Sequence, residues 1–385
     1  MKRLLCVMTV LCLCLGQFCL YAAAAEPEVP GKSALLMDVA TGKILYEKNA
    51  HEALPPASVT KVMTMLLIME AIDSGAIGWE DTVTASESAA AKGGSQIYLK
   101  VGETMSVADM VKSIAVSSAN DCACAMAEHL AGSEAAFVEK MNQRAKELGM
   151  ADTHFVNCTG LDDSADAKSH LTSAHDIALM SRELLKYHPS IRQYTTIWMD
   201  TVRNGAFGLS NTNKMIRFYP GATGLKTGFT SGAGYCLSAS AEREGMELIA
   251  VVMGCETSAQ RFSACKGLLD MGFATYALIT PEMPEAQVPV TLGTQGFVKA
   301  APAENTELLL EKSQKPLVAT QITLEESVDA PVSKGQRLGT VTVTAGGQTL
   351  AQIPLVAESA VPRLTFWQIF LKILRRVAMA AEPEA

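Results

Sequence analysis

Strand-like runs stand at both ends of residues 34–254, while the middle of that stretch reads as helix. Residues 34–47, ALLMDVATGKILYE, read as two strands joined at Ala40-Thr41-Gly42. Gly234–Ala241 and Met246–Gly254 read as two more, separated by the polar Glu242–Gly245 turn. Between them, from Ser58 to about residue 190, apolar residues follow helical spacing, and Ser106-Val107-Ala108-Asp109 is a capping box that starts one helix. Residues 258–279 also read as helix. A strand cannot bury its polar backbone alone, so the two ends must meet in one sheet. The expected class is α+β, with helices covering the sheet.

The rest of the chain adds different material. Thr280–Ala286, TPEMPEA, is a linker by its prolines. VPVTL, TELLLEK, PLVATQITL and LGTVTVTAGGQTLAQIPLV follow as short β-like runs, with a hairpin marked by Gly346-Gly347. Residues 283–360 therefore read as a small all-β domain, and they hold no His or Cys for chemistry. From Arg363 to Ala380 the pattern changes again. Leu364, Trp367, Leu371, Leu374 and Ala378 recur at three- and four-residue steps, widened by Phe366, Ile369, Phe370 and Ile373, with Lys372, Arg375 and Arg376 as the polar content. That stretch is too charged to span a bilayer and suits a helix lying in the interface of an anionic membrane. Residues 361–385 are expected to be such an anchor.

The N-terminus reads MKRLLCVMTVLCLCLGQFCLYAAAA, a positive start, an apolar run and small residues. Residues 1–25 are expected to be a signal peptide, with a mature chain from near Glu26. Its loss takes the formal charge from -8 to about -10, because Lys2 and Arg3 leave with it. An acidic chain of this kind is a poor partner for nucleic acid. Six cysteines remain (122, 124, 158, 236, 255 and 265), lying in helix- or strand-like runs. They read as small core residues rather than a disulfide framework, and no C-x-x-C suggests zinc.

PPASVTKVMT, residues 55–64, is the first stretch that asks for chemistry. Lys61 stands one helical turn after Ser58 in an apolar run, so its amine can reach the serine hydroxyl. A neutral lysine can serve as the base for a serine nucleophile. Burial and a second cation would make it neutral, against an ordinary pKa of about 10.4. S-x-x-K alone is common by chance. Two further stretches change its weight: Ser118-Ala119-Asn120 just before an apolar helix, and Lys226-Thr227-Gly228 just before a strand. In that order they are the S-x-x-K, S-x-N and K-T-G set of serine penicillin-recognising enzymes.

With PPASVTKVMT, GGSQIYLKVGE, VSSANDCACAMAEHLAG, the TSAHDIALM run and GLKTGFTSGAGYCLSASA, residues 31–280 resemble the D-alanyl-D-alanine carboxypeptidases, low-molecular-mass penicillin-binding proteins. The likeness extends more loosely over the β-rich part and the terminal helix. It implies the β-lactamase/penicillin-binding fold for residues 26–282, an antiparallel sheet flanked by helices, with no metal and no cofactor. It implies that Ser58 attacks the carbonyl between the last two D-alanines of a peptidoglycan stem pentapeptide, that Lys61 takes its proton, and that Ser118 passes it to the leaving amine. Asn120 would hold the substrate's peptide group. Lys226 and Thr227 would bind the terminal carboxylate, with Lys226 the second cation near Lys61. Gly228 would let substrate lie along the strand, the N–H groups of Ser58 and Phe229 would form the oxyanion hole, and Arg261 matches a family arginine near the carboxylate. β-Lactams would acylate Ser58, at the outer face of a bacterial cytoplasmic membrane or in the wall. Ala119 stands where glycine is common in the family.

Four rivals share parts of this pattern. A class A β-lactamase also needs a water-activating glutamate, usually in E-x-x-x-N. None of Glu128, Glu134, Glu139, Glu147 and Glu183 has Asn four residues on. A D,D-endopeptidase would use the same residues. A zinc D,D-peptidase would need spaced ligands, and His170 and His175 are five apart, poor spacing for one helix face. A non-catalytic wall binder has no need of the nucleophile.

Overall fold

The computed structural model describes residues 27–163, 165–303 and 306–379, so the expected leader over residues 1–25 lies outside the described residues. The two ends of the strand–helix–strand stretch do meet. One five-stranded sheet runs in the order Ile44–Lys48, Ser33–Asp38, Met246–Cys255, Gly234–Arg243, Ala222–Thr230. Every residue of Ser33–Asp38 is buried. Such a strand reads as a continuous apolar run because both of its faces are covered.

The helix Lys61–Asp73 is buried along most of its length and packs on Ala174–Tyr187, Asn120–Ala131, Val107–Ser117 and Glu134–Glu147. Its sequence, KVMTMLLIMEAID, is apolar all round, the mark of a helix surrounded by protein. Side-chain caps start three of these: Ser106 Oγ accepts from Asp109 N, Ser133 Oγ from Ala136 N and Ser173 Oγ from Asp176 N. All six described cysteines are free and buried.

Two features differ from the sequence reading. Short strands Thr82–Thr84 and Thr104–Ser106 pair within the helical region, and Met199–Val202 pairs with Phe207–Ser210. The helix expected over 258–279 ends at Thr275, and Tyr276–Ile279 is a strand. Its partner is Leu308–Glu311, within the β-like run TELLLEK, and a pairing about thirty residues apart is not visible in local periodicity.

By contacts the chain divides into two compact units, the second running from Tyr276 with two small excursions at Asp38–Lys43 and Glu242–Glu247. That second unit holds a six-stranded sheet in the order Val318–Leu324, Arg337–Ala345, Gln348–Ala357, Phe297–Pro302, Ala286–Thr291, Val328–Asp329. Ala286–Thr291 alternates buried and exposed, as a strand with one covered face must. Gly346 and Gly347, both at positive φ (57° and 84°), make the two-residue turn between the longest strands. A helix spans Phe366–Met379.

Candidate active site

Pro55 and Pro56 end the preceding chain, and Ala57–Thr60 forms a 3₁₀ turn that leads into the helix at Lys61. A 3₁₀ turn has three residues per turn, so side chains three apart eclipse. Lys61 Nζ therefore stands 2.9 Å from Ser58 Oγ. Its other hydrogen bond goes to the Thr159 carbonyl, 2.8 Å away. Lys61 is wholly buried. Burial pulls its pKa from 10.5 down to about 7, while Cys158 and Asp121 act to raise it. The neutral amine that a base requires is thus accessible near neutral pH.

The loop that supplies the Thr159 carbonyl is held on several sides. Asn157 Oδ1 accepts from Thr159 N and Gly160 N, and Thr64 Oγ1 donates to the Cys158 carbonyl. Gly160 has φ +83°, and a Cβ there would lie 1.8 Å from the Ala57 carbonyl oxygen, so only glycine fits. His170 Nδ1 accepts from Val156 N, which leaves the proton on Nε2 to reach Thr60 Oγ1 at 2.8 Å. Burial, then His154 and Lys61, hold its pKa at about 4, so it stays neutral. His170 is thus a clamp between the loop and the Ala57–Thr60 turn. His175 pairs with Asp176 and stacks against His51. Among the described residues no group of three or more His, Cys, Asp or Glu side chains could hold a metal.

The second motif sits where one helix stops and the next begins. Ser118 caps Val107–Ser117 in the left-handed conformation (φ 61°, ψ 30°) and is buried. A non-glycine residue there stores strain, a frequent feature of functional sites. Ala119 has an ordinary negative φ, so the alanine costs nothing at this position. Asn120 donates from Nδ2 to the Gly93 carbonyl and from N to the Ser95 carbonyl, 2.7 Å each. Its Oδ1 is buried and takes no hydrogen bond from the described residues.

The third motif lies on Ala222–Thr230, at the edge of the sheet. A Cβ on Gly228 would lie 2.6 Å from the Pro56 carbonyl oxygen and 3.1 Å from Val59 N. The glycine is needed for the strand's approach to the Ala57–Thr60 turn, a reason beyond the room for substrate expected from the resemblance. Lys226 is buried and donates to the Thr227 carbonyl, and Thr227 Oγ1 donates to Thr212 Oγ1. The Lys226 pKa falls well below the lysine value, through burial first and then Lys61 and Arg261. The sequence reading asked for burial and a second cation, Lys226, to make Lys61 neutral. Burial is the leading cause at both lysines, and the Lys61–Lys226 repulsion adds to it at Lys226.

Phe229 is half-exposed and stacks on Tyr235, with ring centres 4.2 Å apart. Arg261 bonds the carbonyls of Gly228 and Cys236 and lies over the Tyr235 ring. It braces the strand, and none of its hydrogen bonds goes to Lys226 or Thr227. Sequence reasoning gave no part to the Thr159 carbonyl or Asp121, and it weighed His170 only as a zinc ligand. The first is a backbone group with no letter of its own, and the other two act through partners distant in sequence.

The sequence matches the D-alanyl-D-alanine carboxypeptidase family over residues 21–257 and the C-terminal domain of penicillin-binding protein 5 over residues 273–363. It is 44% identical over 342 residues to the D-alanyl-D-alanine carboxypeptidase DacF of Bacillus subtilis (strain 168), covering 87% of each chain. Among solved structures, penicillin binding protein 5 from Haemophilus influenzae superposes with a TM-score of 0.76 at 30% identity, over 88% of this chain and 99% of that one. Penicillin-binding protein D2 from Listeria monocytogenes, in its ampicillin-bound form, superposes with a TM-score of 0.59 at 34% identity, over 64% of this chain and 99% of that one.

Proposed function

The chain belongs to the D-alanyl-D-alanine carboxypeptidase family, and on that premise we propose how its own residues carry out the reaction. It is a serine-type D-Ala-D-Ala carboxypeptidase acting on cell-wall peptidoglycan. Ser58 is the nucleophile. Neutral Lys61 accepts its proton as Oγ attacks the carbonyl between the two D-alanines. The Ser58 and Phe229 N–H groups stabilise the oxyanion. Lys226 and Thr227 hold the terminal carboxylate, and Asn120 Oδ1 accepts from the substrate's peptide N–H. Ser118 hands a proton to the leaving amine. D-Alanine departs, and water hydrolyses the ester on Ser58. A β-lactam takes the same path to a long-lived ester.

The observation that carries this reading is the 2.9 Å approach of a wholly buried lysine amine to Ser58 Oγ. Intact-mass spectrometry after benzylpenicillin should show one adduct, absent in Ser58→Ala. Release of D-alanine from a diacyl-D-Ala-D-Ala peptide should disappear in the same variant. A well-folded wild type that takes no adduct would sink the assignment.

We assign residues 1–25 to export, 26–282 to catalysis, 283–360 to a spacer and 361–385 to a membrane-surface anchor, which puts the enzyme on the outer face of the cytoplasmic membrane. No helix among the described residues is long and apolar enough to cross a membrane. The helix Phe366–Met379 nevertheless exposes Phe366, Trp367, Phe370, Leu371, Ile373 and Leu374. A surface of that size and polarity is what an interfacial helix offers to lipid. Deleting 366–385, which spares Val361 in the core of the β-rich unit, should move the protein from the membrane pellet to the supernatant with D-alanine release intact. Continued pelleting would refute the anchor.

A further inference from the structure

Asp121 directly follows the S-x-N triplet and has no place in the reaction described above. It is fully buried. Its Oδ1 accepts from Cys122 N at 2.9 Å, and its Oδ2 accepts from Ile97 N at 3.1 Å and Leu99 N at 3.0 Å. Asn120, one residue earlier, donates to the carbonyls of Gly93 and Ser95. Residues 93, 95, 97 and 99 alternate along the chain, and each turns a backbone polar group toward the start of the helix Asn120–Ala131. Two carbonyls meet the donors of Asn120, and two N–H groups meet the acceptor of Asp121. Together the two residues act as a substitute neighbouring strand for residues 93–99. Between the clamped amides, Tyr98 is forced to φ +60°, with its ring largely exposed.

We propose that Asp121 is a positioning residue for acyl transfer, acting through the segment it clamps and through the field it places on Lys61. The proposal rests on Lys61 being the base. The first arm is geometric: Asn120 keeps its orientation because its two carbonyl partners belong to a segment tied down at Ile97 and Leu99. The second arm is electrostatic. Lys61 lies among Ser58, the Thr159 carbonyl, the Cys158 thiol, neutral His170 and the buried Lys226 amine. Burial favours its neutral form, and the Asp121 carboxylate favours its protonated form. Without that carboxylate, Lys61 would give up its proton at lower pH. The amine would then be a weaker base, and the active form would persist further into acid.

The test is the pH profile of acylation, read as the first-order rate of benzylpenicillin adduct formation in wild type, Asp121→Asn and Asp121→Glu, with KM for a D-Ala-D-Ala peptide measured beside it. The acid limb of Asp121→Asn should move about one unit toward lower pH. At the foot of the wild-type limb the variant should then keep about tenfold more of its own plateau rate. KM should rise as residues 93–99 loosen, and Asp121→Glu should restore the position of the limb. A limb that stays in place in Asp121→Asn overturns the proposal. Should that variant fail to fold by circular dichroism, Asp121→Ser gives the same reading. If neither neutral variant folds, Asp121 belongs to the fold alone and the proposal also falls. Absence of the adduct in wild type would sink the Ser58–Lys61 reading instead, so the two failures are distinguishable.

Discussion

The cleft around Ser58 and the β-rich unit from Ala286 to Ala357 bury opposite kinds of residue. The second unit's core is aliphatic: Val288, Val290, Val298 and Leu338 in one cluster, Val341, Val343, Ile353 and Leu355 in another. The first unit buries Lys61, Lys226, Arg261, Asp121, Asn120 and Ser118 close to its three motifs. Apolar burial stabilises by roughly 25 cal/mol per Å², whereas a buried charge is costly unless it is paired. A fold that keeps two lysine amines out of water gives up stability there, and it does so where the chemistry needs an amine without its proton.

Lys61→Met should separate the two effects most sharply. Acylation should fall about 10⁴-fold or more, as when the base of a serine hydrolase is removed. The variant should nonetheless unfold at a temperature several degrees higher. The sign follows from linkage: the folded pKa is about 7 against 10.5 for a free lysine, so the unfolded chain binds more protons between those values. The cost of Lys61 is complete below about pH 7 and fades as pH rises toward 10.5, on the order of a few kcal/mol at neutrality. The gain in Tm over wild type should therefore shrink in alkaline buffer. A gain that does not vary with pH would contradict the linkage.

Two glycines sharpen the contrast with a smaller expected effect. Gly228→Ala places a Cβ 2.6 Å from the Pro56 carbonyl oxygen. Pushing the strand from the nucleophile turn should slow acylation by about 10²-fold, because misplacement of about 1 Å can do so. Gly339→Ala places a Cβ 2.3 Å from the Thr323 carbonyl oxygen in the β-rich unit. It should destabilise that unit by about 1–3 kcal/mol and leave the penicillin adduct rate unchanged. Equal loss of acylation in both variants would mean that the β-rich unit takes part in catalysis.

Much of this was legible before any coordinates. Ser106 as a cap, Gly346-Gly347 as a turn and the strand pair within residues 34–47 are local signals, and each stands where the sequence put it. Ser58 and Lys61 were also legible as a pair, since three residues of helix bring them together. Tyr276–Ile279 was read as helix because its pairing partner lies about thirty residues on, and strand identity depends on the partner. Arg261 was placed near the carboxylate by resemblance, and its hydrogen bonds turned out to serve Gly228 and Cys236.

The sequence by itself determined which groups are present, their order and their local spacing: a hydroxyl one turn from an amine, two further motifs, and strands that had to find each other. Only the tertiary structure decided the proton affinity of that amine. Desolvation, the Thr159 carbonyl 2.8 Å away and the field of Asp121 all come from packing segments remote along the chain. A pKa is a property of surroundings, and surroundings exist only once the chain has closed around them.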